Sequence, residues 1–143
     1  MELASSWLFW ALLSAFFAAM TAILAKIGIE RIDPDVATLA RTLVIVALLA
    51  GGLAVSGKLR GLAALPAGSL VWLTLSGMAT GASWICYFRA LKLGQASQVA
   101  PVDKLSVVLV AVLGVLFLGE NLSLGGWLGI ALIAAGAVLV SVS

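Results

Sequence analysis

Two adjacent charges, Asp103 and Lys104, stand inside an apolar run of this 143-residue chain, and few other side chains in it are equipped for chemistry. A carboxylate in such a setting can carry a proton or hold an amine, and an ammonium can hold a carboxylate or another anion. Both are costly there, since a charge at the centre of a membrane span costs about 2.5–3.5 kcal/mol even on insertion scales. Neighbouring helix positions point roughly 100° apart. Asp103 and Lys104 are therefore expected to face apart and to need partners from elsewhere. Arg89 and Arg41 are the cations expected near the same membrane side, so an ion pair between Asp103 and one of them competes with a binding role.

A second polar set lies upstream. Ser76, Thr80, Ser83 and Tyr87 follow one another at spacings of four, three and four, one stripe of a helix with Trp84 beside it. In lipid such hydroxyls must bond to a neighbouring helix, a backbone carbonyl or water in a cavity. Cavity lining and plain interhelical bonding both fit. Arg41 lies about 8 Å into its apolar run at 1.5 Å per residue; it either snorkels to the surface or faces a polar cavity.

Other chemistries are excluded by composition. Histidine is absent and Cys86 is the one cysteine. That removes the usual Ser-His-Asp and Cys-His nucleophiles, cysteine zinc sites and any intrachain disulfide. Gly114 to Glu120 has phosphate-loop spacing but places Glu120 where lysine is needed, and it reads as helix. Glu120 is expected to anchor that helix end at the interface or to hold a loop backbone. No enzyme activity, metal or cofactor is expected. The formal charge of +2 is spread over short connections, which argues against nucleic acid as a partner.

The elements that must position these groups are membrane helices. With 64% hydrophobic and 10% charged residues, the chain departs far from a soluble domain. Five apolar runs are long enough to span hydrocarbon, at about 7–25, 36–56, 69–91, 99–118 and 126–142, in a single domain over 1–143. The expected fold is an all-α bundle of five transmembrane helices. Asp33-Pro34-Asp35 suits a helix start, Gly94 suits a helix end, and Ser97 is placed to cap the next helix, with Pro101 in or near its first turn. Gly57 to Gly68 is expected to lie along the interface. Gly77 and Gly81 form a Gly-x-x-x-Gly pair, and Gly125, Gly129 and Gly136 share a strip of the last helix. These are candidates for helix packing, within the chain or between two copies.

Five spans put the termini on opposite sides, so the charges sort by tracing the chain. Lys26, Glu30, Arg31, Asp33, Asp35, Arg41, Arg89, Lys92, Asp103 and Lys104 fall toward the C-terminal side, against Glu2, Lys58, Arg60 and Glu120. Six Lys and Arg against two make the C-terminal side cytoplasmic by the positive-inside rule. Without Arg41, Arg89 and Lys104, which a polar vestibule would retain, the balance is three against two.

The run Tyr87-Phe88-Arg89-Ala90-Leu91-Lys92-Leu93-Gly94, then Ala96-Ser97, Ala100-Pro101, Lys104-Leu105-Ser106 and Leu118-Gly119-Glu120, resembles the EamA family of the drug/metabolite transporter superfamily. Lys26, Arg41 and Gly129 to Gly136 also fit its pattern, so the resemblance covers nearly the whole chain. It implies a bacterial inner-membrane carrier of small metabolites that works by alternating access. Usual members fuse two such units in opposite orientation; one unit here implies one half of an inverted repeat, completed by an antiparallel homodimer in the lipid bilayer. Asp103, Lys104, Arg89, Arg41, Tyr87, Ser83, Thr80 and Trp84 are then the substrate-binding or coupling candidates. Two other readings stand beside it. A small multidrug-resistance-like proton-coupled exporter would need an acid in the first span, which has none before Glu30. A non-transporting membrane subunit of a lipid-linked sugar flippase would be inert alone.

Overall fold

A computed structural model describes residues 6–142; Glu2, assigned above to the N-terminal side, and both ends of the 1–143 domain lie outside the described residues. The elements are α1 (Trp7–Gly28), α2 (Pro34–Val55), a 3₁₀ helix (Lys58–Ala64), α3 (Ala67–Leu93), α4 (Ala96–Asp103), α5 (Ser106–Leu118) and α6 (Leu124–Val142). They make five stretches long and apolar enough to span a membrane, the fourth being α4 and α5 together, Ala96–Leu118. The helices overlap the five apolar runs, most ends lying two or three residues beyond the run. Most large apolar side chains on α1, α2, α3 and α6 are exposed. In lipid those outward side chains are solvated, and the backbone is satisfied within each helix.

Internal contacts divide the chain into two compact units, one of residues 27–92 and one combining the residues up to Lys26 with those from Leu93 onward. In the first unit Asp33 caps α2. Its Oδ1 accepts from the N–H groups of Asp35 and Val36 at 2.9 and 3.2 Å, and its carbonyl accepts from Ala37 at 3.0 Å. Pro34, at the first helical position, has no N–H to satisfy. The far end of α2 turns through Gly57, whose φ of +70° is left-handed backbone that suits glycine, into the exposed 3₁₀ helix. At the other end of the unit Ile29, Phe88 and Leu91 are fully buried. Lys92 closes this end: its Nζ donates to the carbonyls of Ile29 and Glu30, both at 2.6 Å, and of Ile32 at 3.3 Å.

In the second unit α4 and α5 pack on α6. The fourth span is not one continuous helix, as its hydropathy suggests, but breaks at Lys104-Leu105. Pro101 lies inside α4, three residues before the break; it lacks the N–H that would bond to the Ser97 carbonyl and crowds that carbonyl, which weakens the helix ahead of the break. Beyond it the bonds tighten to three-residue spacing, Leu105 N–H to Val102 at 3.0 Å and Val107 N–H to Lys104 at 3.0 Å. Pro101 is thus interior and not in the first turn, because α4 begins at Ala96. Gln95, not Ser97, takes the cap position, and its side chain makes no capping bond. Gly94 does follow the end of α3, and its carbonyl accepts from Lys26 Nζ at 2.7 Å. α5 ends at Gly119 with φ +68°, and α6 starts from Ser123, whose Oγ accepts from Gly126 N–H at 3.2 Å.

Candidate functional site

The first unit holds a cleft of about 580 Å³ between α2 and α3. Its α2 wall is built by Asp35, Thr38, Leu39 and Thr42, and its α3 wall by Leu73, Ser76, Thr80, Trp84 and Ile85, with Gly77 and Gly81 between them. Both walls follow from helical spacing. Residues 35, 38 and 42 are three and four apart, and Ser76, Thr80 and Trp84 four apart, so each set shares one face.

At the mouth, Arg89 of α3 holds Asp35 of α2 with two parallel bonds, Nε to Oδ1 at 3.1 Å and Nη2 to Oδ2 at 2.7 Å. This fork-to-carboxylate geometry is the directional form of an ion pair. About half or more of each side chain is open to the surroundings, at 60% for Arg89 and 49% for Asp35. Arg41 neither reaches outward alone nor lines the cleft. Its guanidinium lies 4.3 Å from the centroid of the Trp84 ring and 5.4 Å from that of Phe88, where the ring quadrupoles attract it. One aromatic residue therefore joins the arginine to the cleft wall.

The three threonine hydroxyls of the cleft are occupied locally. Thr38 donates to Pro34 O at 2.8 Å, Thr42 to Thr38 O at 2.7 Å and Thr80 to Ser76 O at 2.9 Å, each four residues back along its own helix. Backbone carbonyls, one of the three partners open to such hydroxyls in lipid, are the ones used.

Of the polar stripe predicted on α3, Ser76 and Thr80 line the cleft with Trp84, whereas Ser83 and Tyr87 do not. Ser83 is exposed, and Tyr87 sets its ring edgewise to Phe88, centroids 6.5 Å apart. Arg89 is taken by Asp35, and Arg41 by the rings of Trp84 and Phe88. Asp103 Oδ2 instead receives Lys104 Nζ at 3.0 Å. Adjacent positions face apart only on a regular helix, and the break at Lys104-Leu105 removes that condition. Among the glycines named for packing, a Cβ at Gly77, Gly81, Gly129 or Gly136 would meet nothing within 4 Å, and one at Gly125 would meet only Ser123 Oγ at 3.8 Å. No close helix crossing within the described chain depends on them. Sequence reasoning missed Asp35, Thr38 and Thr42, although their spacing carried the signal. Among the described residues no group of three or more metal-ligating side chains forms.

Comparison with known proteins agrees with the membrane architecture. Residues 5–142 match the EamA-like transporter family. The chain is 56% identical over 140 residues to a Sinorhizobium protein described as an uncharacterized transporter in the 3′ region of cobO, a match covering 98% of this chain and 99% of that protein. No solved structure matches the chain.

Proposed function

Because the chain belongs to the EamA-like transporter family, and so is a multi-pass membrane transporter and not an enzyme, we propose that it carries small metabolites by alternating access as an antiparallel homodimer of the bacterial inner membrane. The observation that carries this reading is the α2–α3 cleft, which combines apolar walls with a charged mouth and a ring-stacked arginine. Substrate sites of secondary transporters lie between repeats that rock against each other. A second copy supplies the missing repeat. The open strip at Gly129 and Gly136 offers the second copy a close-packing surface. Asp103 and Lys104, at the break between α4 and α5, are the coupling candidates, since interrupted spans are where transporters place ion sites.

The test is flux. The purified protein alone, reconstituted in liposomes, should accumulate or release solutes from a metabolite panel, and C-terminal reporters should be active on both sides of the membrane. Flux that appears only when a second protein is added would sink the carrier reading in favour of a complex subunit; reporter activity on one side alone would sink the antiparallel pair. A small multidrug-resistance-like exporter is disfavoured because α1, Trp7–Gly28, contains no acidic residue.

A further inference from the structure

We infer that the α2–α3 cleft takes an organic amine, a flat apolar body carrying an ammonium group that replaces Arg89 at the Asp35 carboxylate. The proposal rests on the carrier reading only in treating this cleft as the substrate-facing surface.

The charge lining the cleft has one sign. Among the described residues Asp35 is the only ionisable one in its walls; Arg89 meets that carboxylate without lining the cleft, and Arg41 is turned onto Trp84 and Phe88. The beginning of α2, which could otherwise draw an anion to its free N–H groups, has none to give. Pro34 lacks one, Asp35 and Val36 donate to Asp33 Oδ1, and Ala37 donates to Asp33 O. The protons of Thr38, Thr42 and Thr80 are likewise engaged by their own helices, so these side chains present oxygen lone pairs. The remaining side-chain donors of the walls, the Ser76 hydroxyl and the Trp84 indole, are neutral. A lining of acceptors with one carboxylate recognises hydrogen-bond donors and positive charge.

The shape follows from the glycines. Gly77 and Gly81 leave α3 without side chains between Ser76, Thr80 and Trp84, and nothing stands within 4 Å of a Cβ at either. A flat ring can lie against that floor with its ammonium toward Asp35. Arg89 holds Asp35 from outside the walls and is half exposed or more, so it can withdraw into the headgroup region as the ammonium arrives.

The experiment uses the full-length protein in lipid nanodiscs and three near-isosteric probes, 2-phenylethylamine, 2-phenylethanol and 3-phenylpropanoate, with binding read as saturable thermal stabilisation. The amine should stabilise at concentrations where the alcohol and the carboxylate do not. Asp35→Asn should weaken amine binding about tenfold or more, the scale of a charge-assisted bond. Gly77→Leu should abolish it while folding normally, since its side chain enters open space. Arg89→Gln should strengthen it by removing the competing cation. Equal or tighter binding of the carboxylate, amine binding indifferent to both Asp35→Asn and Gly77→Leu, weaker amine binding in Arg89→Gln, or no response to any probe would overturn the proposal. Because binding is measured without flux, these failures leave the liposome result on the carrier reading standing by itself.

Discussion

The guanidinium of Arg89 meets the carboxylate of Asp35 edge to edge, through bonds of 3.1 and 2.7 Å, and so ties the last turns of α3 to the first turn of α2. Each residue is a charge beside an apolar surface, and each neutralises the other.

From that relationship comes a double-mutant cycle. Asp35→Asn and Arg89→Gln should each lower the thermal midpoint of the purified protein, and the double variant should lose less than the sum of the two. Groups in one ion pair couple, whereas distant groups add. Strict additivity in the melting data would show that the pair is not formed in the membrane.

Lys92 yields a second prediction. Its ammonium serves three carbonyls of the turn between α1 and α2, and Lys92→Met takes that donor away, leaving Ile29 O only the 3.4 Å bond from Ile32 N–H. The substitution should cost about 1 kcal/mol, the ordinary net worth of a hydrogen bond. Amide exchange in residues 29–32 should quicken while that of α6 stays unchanged. Unaltered exchange in the turn would assign Lys92 to membrane orientation instead.

For Asp103 the expectation is loss of transport with insertion intact. Asp103→Asn keeps the size of the side chain but removes the charge that holds Lys104 Nζ at 3.0 Å. Flux in liposomes should be abolished while the yield and melting of the protein stay close to wild type. A fully active variant would leave the pair as a filler of the helix break.

The glycines of α6 test the dimer. Gly129→Leu and Gly136→Leu place bulk where the described chain has none within 4 Å, so each protomer should fold and insert normally. Cross-linking or light scattering should nonetheless show a shift from dimer to monomer. Dimers of unchanged strength would move the interface to another face.

Much of this architecture was legible in the residues. Long apolar runs leave little doubt where helices cross, and Asp33-Pro34 and Gly94 marked real boundaries because their backbone chemistry is local. Position and order say less about partners. Arg89 was expected to answer Asp103 because both approach the same membrane side; its choice of Asp35 depends on how two helices lie, which hydropathy does not encode. Asp35 reads from the sequence as a charge serving the helix end, and the face it shares with Thr38 and Thr42 is masked by how apolar α2 otherwise is. The ion pair of Asp103 with its own neighbour depends on the helix break at Lys104-Leu105, which hydropathy does not register.

The bonds from Thr38, Thr42 and Thr80 back to their own helices have a kinetic meaning. Threonines stitched this way need neither the opposite wall nor a particular guest to stay satisfied. Those three hydroxyls stay satisfied whether the walls part, dehydrate or refill. A surface of that kind smooths the path between states and tolerates guests of varied outline, leaving discrimination to the single anion at its mouth.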